Sequence, residues 1–153
     1  MASSLLARKK RAQTGMGQIY TSITVTNSTD LDNAESGLIE PSAVRTVELG
    51  DVLPDSGATY LCLPIDVIER LGLHAERTVP RETAAGLVEA KIFRNARVAL
   101  MGRVTVGVCV ELAVGARVLL GAMSLEALGI ELDLQNRTLR LLPESGPRGY
   151  IYA

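Results

Sequence analysis

The stretch VLPDSGATYLCLP, residues 52–64, holds the residues whose types and spacing could do chemistry. Asp55, Ser56 and Gly57 follow one apolar run, Val52 and Leu53, and precede another, Leu61 and Leu63, and both runs read as strands. Asp, Ser and Gly are ordinary turn formers, so a surface turn accounts for them. A catalytic carboxylate fixed in space by two strands accounts for them as well. The other reactive residues narrow the choice. The single histidine, His74, follows Leu71-Gly72-Leu73 at a predicted helix end and reads as a solvated loop residue rather than the base of a triad. One histidine also removes any ordinary multi-histidine metal site, and the sequence implies no metal and no cofactor. Cys62 and Cys109 form no C-x-x-C pair and fall at apolar, strand-like positions. They read as reduced core thiols of a cytoplasmic protein, and nothing in the sequence supports a cross-link between them. Asp51, Asp66 and Asp133 read as solvated, helix-turn or strand-end residues.

Around that turn the periodicity is mostly that of strands. In MGQIYTSITVTN, Ile19, Thr21, Ile23 and Val25 alternate with other residues and predict a first strand. Residues 28–42 carry turn formers and predict a loop with a helical turn at about 30–36. VRTVELGDVL is a second strand region and runs into the Asp55 turn. After YLCL, Pro64 suits a first helical position, Ile65, Val67, Ile68 and Leu71 share one face, and Gly72 stops the helix. RTVPRET, GLVEAKIF, RNARVAL and RVTVGVCVEL then predict strands between residues 76 and 118. VLLG leads to a second short helix with Ser124 as its N-cap and Gly129 as its stop, and two last strands join at Gln135-Asn136. The class is all-β with two short helices, in a closed or folded-over sheet. LPIDVIERLGL and AMSLEALGIEL echo each other: each sets a short helix ending Leu-Gly-apolar just after a strand and a turn.

Composition bounds the partners. At 153 residues the chain fits one domain with tails: a leader over 1–15, expected to be disordered, a domain over 16–143 and a C-terminal tail over 144–153. Hydrophobic residues are 47% and aromatic residues 3%, so the core must be built from Val, Leu, Ile and Ala. A net charge of −1 offers no case for nucleic acid or an anionic membrane, and the basic run Arg8–Arg11 reads as solvated. The most apolar region, 104–123, is interrupted by Glu111 and Arg117 and is no membrane span. No secretory signal opens the chain.

Asp55-Ser56-Gly57-Ala58-Thr59, a hairpin region, then Leu119-Leu120-Gly121 and a helix ending Leu128-Gly129 together resemble the retropepsin-like aspartic proteases, in particular the small bacterial and archaeal members. The likeness covers roughly residues 16–143. It implies a closed or folded acid-protease barrel and an aspartic endopeptidase. In that chemistry two carboxyls about 3 Å apart share one proton. The ionised one activates water, and the protonated one polarises the scissile carbonyl. The chain has one Asp-Ser-Gly, and Glu35-Ser36-Gly37 lacks the strand context to replace a second. The resemblance therefore implies a symmetric homodimer with one Asp55 from each subunit, acting on an extended peptide or protein substrate. By the same resemblance Ser56 would hydrogen-bond across the twofold axis, Gly57 would allow close backbone approach, and Ala58 and Thr59 would line the substrate groove. Leu119, Leu120 and Gly121 would support the turn from behind. A β-hairpin flap would fall at residues 78–93, its tip at Thr83, Ala84, Ala85 and Gly86.

Two departures stand out. Pro54 precedes Asp55 where the family has an apolar strand former, and it removes a backbone donor. Ala122 and Thr59 replace the ion pair that retroviral members place near these positions. An active homodimeric endopeptidase and a catalytically silent retropepsin-like dimerisation or peptide-binding module both remain open on the sequence alone.

Overall fold

The computed structural model describes residues 18–143, so both predicted tails, 1–15 and 144–153, lie outside the described residues. The described residues fall into two compact units, Thr21–Leu128 and a smaller one of residues 18–20 and 129–143. The larger unit runs β1 (Thr21–Asn27), α1 (Ser28–Glu35), a 3-10 turn (Pro41–Ala43), β2 (Thr46–Pro54), β3 (Leu61–Pro64), α2 (Ile65–Leu71), β4 (Ala75–Thr83), β5 (Gly86–Leu100), β6 (Arg103–Leu112), β7 (Leu119–Leu120) and α3 (Ala122–Leu128).

All seven strands form one sheet in the order β1-β2-β7-β3-β6-β5-β4, and β1 also pairs with β5. That extra pairing closes six strands into a ring and leaves β4 outside it, hung on β5. Inside lie Val25, Val52, Leu61, Leu63, Val98, Cys109 and Leu120, each at most 2% exposed. Aliphatic side chains of this size fill a small barrel without needing aromatic bulk.

Two bulges make the ring possible. The β1–β2 register slips between the Ile23–Leu49 and Thr21–Val52 pairs, and Asp51 there has φ 53°. A one-residue slip turns the following side chains to the other face. Val47 points inward before the bulge, Val52 and Pro54 after it. The second slip lies in β5 between Phe93 and Ala96, with Asn95 at φ 66°. Before it β5 pairs with β4, and after it with β1. What the sequence reads as two strands, GLVEAKIF and RNARVAL, is one bent strand serving both the hairpin and the barrel.

The described residues form three α-helices rather than the two expected. The segment read as a helical turn at 30–36 is a full helix, α1, capped by Asn27, whose Oδ1 accepts from the Asp30 amide at 2.9 Å. The Asn27 amide group also donates to the Leu71 carbonyl at 2.8 Å, tying α1 to the end of α2. Asp30 accepts from the Arg45 backbone amide, Nε and Nη2 at 2.8–3.1 Å. The Arg45 side-chain hydrogen bonds hold the Asp30 carboxyl below the usual carboxylate range, against the opposing effect of burial. Gly72, in the left-handed region, ends α2 as expected.

In the smaller unit, β8 (Ile130–Asp133) and β9 (Thr138–Leu141) form an antiparallel hairpin. Asp133 accepts from the backbone amide and side chain of Asn136 across its turn, and these bonds, the side-chain one foremost, lower its pKa. Among the described residues no helix is long and apolar enough to cross a membrane.

Candidate active site

Asp55 follows the last residue of β2, and residues 55–60 form the tight turn into β3. The turn is locked by its own hydrogen bonds. The Gly57 amide donates to Asp55 Oδ1 at 2.8 Å, and the Ala58 amide donates to the Asp55 carbonyl at 3.0 Å. The carboxylate is half-buried, Ser56, Gly57 and Thr59 are exposed, and Ala58 is half-buried. A Cβ on Gly57 would come within 3.1 Å of Asp55 Oδ1, so the glycine gives the carboxylate its room.

β7 braces this turn from behind. It lies between the two strands that flank the turn, parallel to β2 through Leu53–Leu119 and Pro54–Leu120, and antiparallel to β3 through Cys62–Leu119. The Leu53 amide donates to Val118 O at 3.0 Å and the Asp55 amide to Leu120 O at 2.9 Å. In a parallel ladder alternate residues face the same neighbour. The position between them, Pro54, therefore faces away from β7, and the pairing with β1 on its other side ends at Val52. The proline removes no donor that the sheet uses, and Asp55 keeps its register.

Past β7 the chain turns at Gly121 into α3. A Cβ at Gly121 would collide with the Tyr60 backbone carbonyl, and would meet Tyr60 N at 2.7 Å and Ala58 O at 2.8 Å. This close approach lets the first amides of α3 donate into the Asp55 turn: Ala122 N to Ala58 O at 2.7 Å and Met123 N to Thr59 O at 3.0 Å. The turn's carbonyls thus satisfy donors that a helix start leaves open. Gly121 accepts the first helical bond from Leu125, so Ser124 lies inside the helix and is not its N-cap. Backbone hydrogen bonds, not an ion pair, therefore join the Ala58-Thr59 and Ala122-Met123 segments.

The predicted hairpin is β4–β5, in register from Val79–Ala90 to Thr83–Gly86, with Ala84 and Ala85 at its tip. Gly86 takes φ 111°. Thr83 Oγ1 accepts from the Ala85 amide at 3.2 Å and donates to Gly86 O at 2.8 Å, so the tip is bonded within itself. At the hairpin's base Val79 packs with Tyr60 and Leu119 on a buried cluster of Cys62, Ala90, Ile92, Val110 and Leu112. That cluster joins the hairpin to the strands carrying the turn.

The remaining reactive groups are unsuited to nucleophilic work. Cys62 and Cys109 are free and buried. Burial pushes the Cys109 thiol up to about 12. Burial also raises Cys62, with the Arg81 charge opposing and the Asp55 charge adding to the rise. Both thiols stay protonated at neutral pH, and the thiolate is the reactive form. His74 is exposed in the loop after α2, and Asp51 and Asp66 are exposed. Arg81 escaped the sequence reading, although the alternation Val79, Arg81, Thr83 in RTVPRET could have placed it on the hairpin's inner face. No protein-family model matches the chain, and no curated protein sequence matches it.

Proposed function

We propose that the protein is an aspartic endopeptidase of retropepsin type, active as a homodimer in which two Asp55 carboxyls share a proton and activate water between them. The single observation that carries this reading is the placement of Asp55. It is a half-buried carboxylate on an exposed turn, with a separate strand hydrogen-bonded behind it through Leu120. A turn needed only to reverse the chain requires no such brace. Hydrolysis by a carboxyl pair does, because the two groups must keep a fixed separation while their charge changes. One chain supplies one such carboxylate, so the partner copy completes the site. The exposed Ser56 hydroxyl fits a bond across the twofold axis. The β4–β5 hairpin fits a flap that closes over an extended peptide, its residues Thr83–Gly86 at the moving tip. Ala58 and Thr59 fit the groove wall. The two reduced thiols fit a cytoplasmic setting. Pro54, which departs from the family pattern just before Asp55, leaves the turn's hydrogen bonds intact.

The test is an Asp55→Asn variant in a peptide-cleavage assay from acidic to neutral pH, with sedimentation in parallel. Cleavage vanishes and the dimer persists. Equal turnover by variant and parent removes the proposal.

A further inference from the structure

Along β4, Val79, Arg81 and Thr83 are half-buried, while Thr78, Pro80 and Glu82 are exposed. This period of two marks one face of the hairpin as turned inward. Val79 is paired with buried Ala90, and Arg81 with Val88, and opposed residues share a face. Val79 is the residue that packs beside Tyr60 and Leu119 at the hairpin's base. Arg81 stands one step nearer the tip on that face, about 7 Å along the strand.

Arg81 is half-buried, yet among the described residues its guanidinium makes no ion pair and no hydrogen bond. Its face otherwise carries Val79, Thr83, Val88 and Ala90, with no carboxylate. Tyr60, the last residue of the Asp55 turn, packs on the same Cys62 cluster as Val79, which sets this face of the hairpin beside that turn. The Arg81 and Asp55 charges both bear on the Cys62 thiol there. A partly desolvated guanidinium is poorly satisfied until an anion meets it, and a carboxylate meets it with two parallel hydrogen bonds. Asp55 cannot neutralise this charge in a working dimer. Two carboxyls sharing a proton carry one negative charge between them, against two guanidiniums.

We infer that Arg81 is a specificity-determining residue that selects extended peptides carrying a glutamate or aspartate side chain close to the scissile bond. This rests on the endopeptidase reading above, and it adds a substrate class to it.

The experiment uses fluorescent peptides identical except for one central residue, Glu, Gln or Lys. Their binding to the full-length Asp55→Asn protein is read by anisotropy, and their cleavage by the parent is read separately. The Glu peptide binds about tenfold tighter than the Gln peptide, the scale of one charge-assisted hydrogen bond. Arg81→Gln erases the preference, Arg81→Lys retains most of it, and Arg81→Glu transfers it to the Lys peptide. Glu82→Gln, on the outer face, leaves it unchanged. Equal binding of the three peptides, or a Glu preference that survives Arg81→Gln, overturns the inference. Selective binding without cleavage by the parent sinks the endopeptidase reading and leaves the Arg81 assignment standing. Cleavage without selectivity does the reverse.

Discussion

The two strand–turn–helix segments, one running through Asp55 into β3 and α2 and the other through β7 and Gly121 into α3, share a plan and divide its tasks. Both helices end at a glycine in the left-handed region, Gly72 at φ 65° and Gly129 at φ 68°. The first turn is largely exposed and holds its carboxylate half in solvent. The second is buried, and at Gly121 it has no room for a single methyl group. One copy of the plan carries the reactive group, and the other fixes it in place by hydrogen bonds through Leu120, Ala122 and Met123. On the endopeptidase reading the site needs both turns, although only the Asp55 turn would touch substrate.

Substitutions at the two glycines sharpen that contrast most strongly. Gly121→Ala drives a methyl group into backbone that cannot yield, and costs about 3 kcal/mol or more. Thermal unfolding should show a fall of more than about 10 °C or failure to accumulate folded protein. Gly57→Ala meets only the Asp55 carboxylate, a side-chain atom. It should move the melting temperature by no more than about 3 °C while reducing peptide cleavage at least tenfold. If both variants melt alike, the division of tasks is wrong.

A smaller effect is expected far from both turns, at the Asp30–Arg45 pair. Asp30 titrates lower in the folded protein than in the unfolded chain, so its stabilisation is complete above about pH 4 and is lost as pH falls through the lowered value. Asp30→Asn should melt about 5 °C below the parent at pH 7. The gap should close as both are acidified below the ordinary carboxylate range. A gap independent of pH would mean that packing, not charge, holds α1 to the Arg45 segment. Smallest is the response of the thiols. Cys62 and Cys109 should resist alkylation at pH 8 in native protein, and both should react on unfolding. Labelling of either without loss of structure contradicts their burial.

The Asp55 turn, the β4–β5 hairpin and the two glycine-stopped helices were legible because each is written locally, in turn formers and short periodicities. The insertion of β7 between β2 and β3 was not. Leu119-Leu120 is two residues long, and its pairing partners lie more than 50 positions away in sequence. No local pattern encodes such a partner. The Asp51 bulge and the bend at Asn95 escaped for a related reason: positive φ at a non-glycine residue is imposed by the neighbouring strands. Helix α1 was read as a turn because STDLDNAE has little apolar periodicity, and its stability comes from Asn27 and Arg45 outside it. Ser124 was misplaced because a hydroxyl is the usual cap, whereas the Asp55 turn itself occupies that role.

The central claim is that one carboxylate from each of two chains makes a single site. Parent and Asp55→Asn chains, co-refolded in varying proportion at fixed total concentration, test it most directly. Peptide cleavage should follow the square of the parent fraction, so an equal mixture retains about a quarter of full activity. A linear decline, with about half retained, would show that each chain works alone and contradict the account.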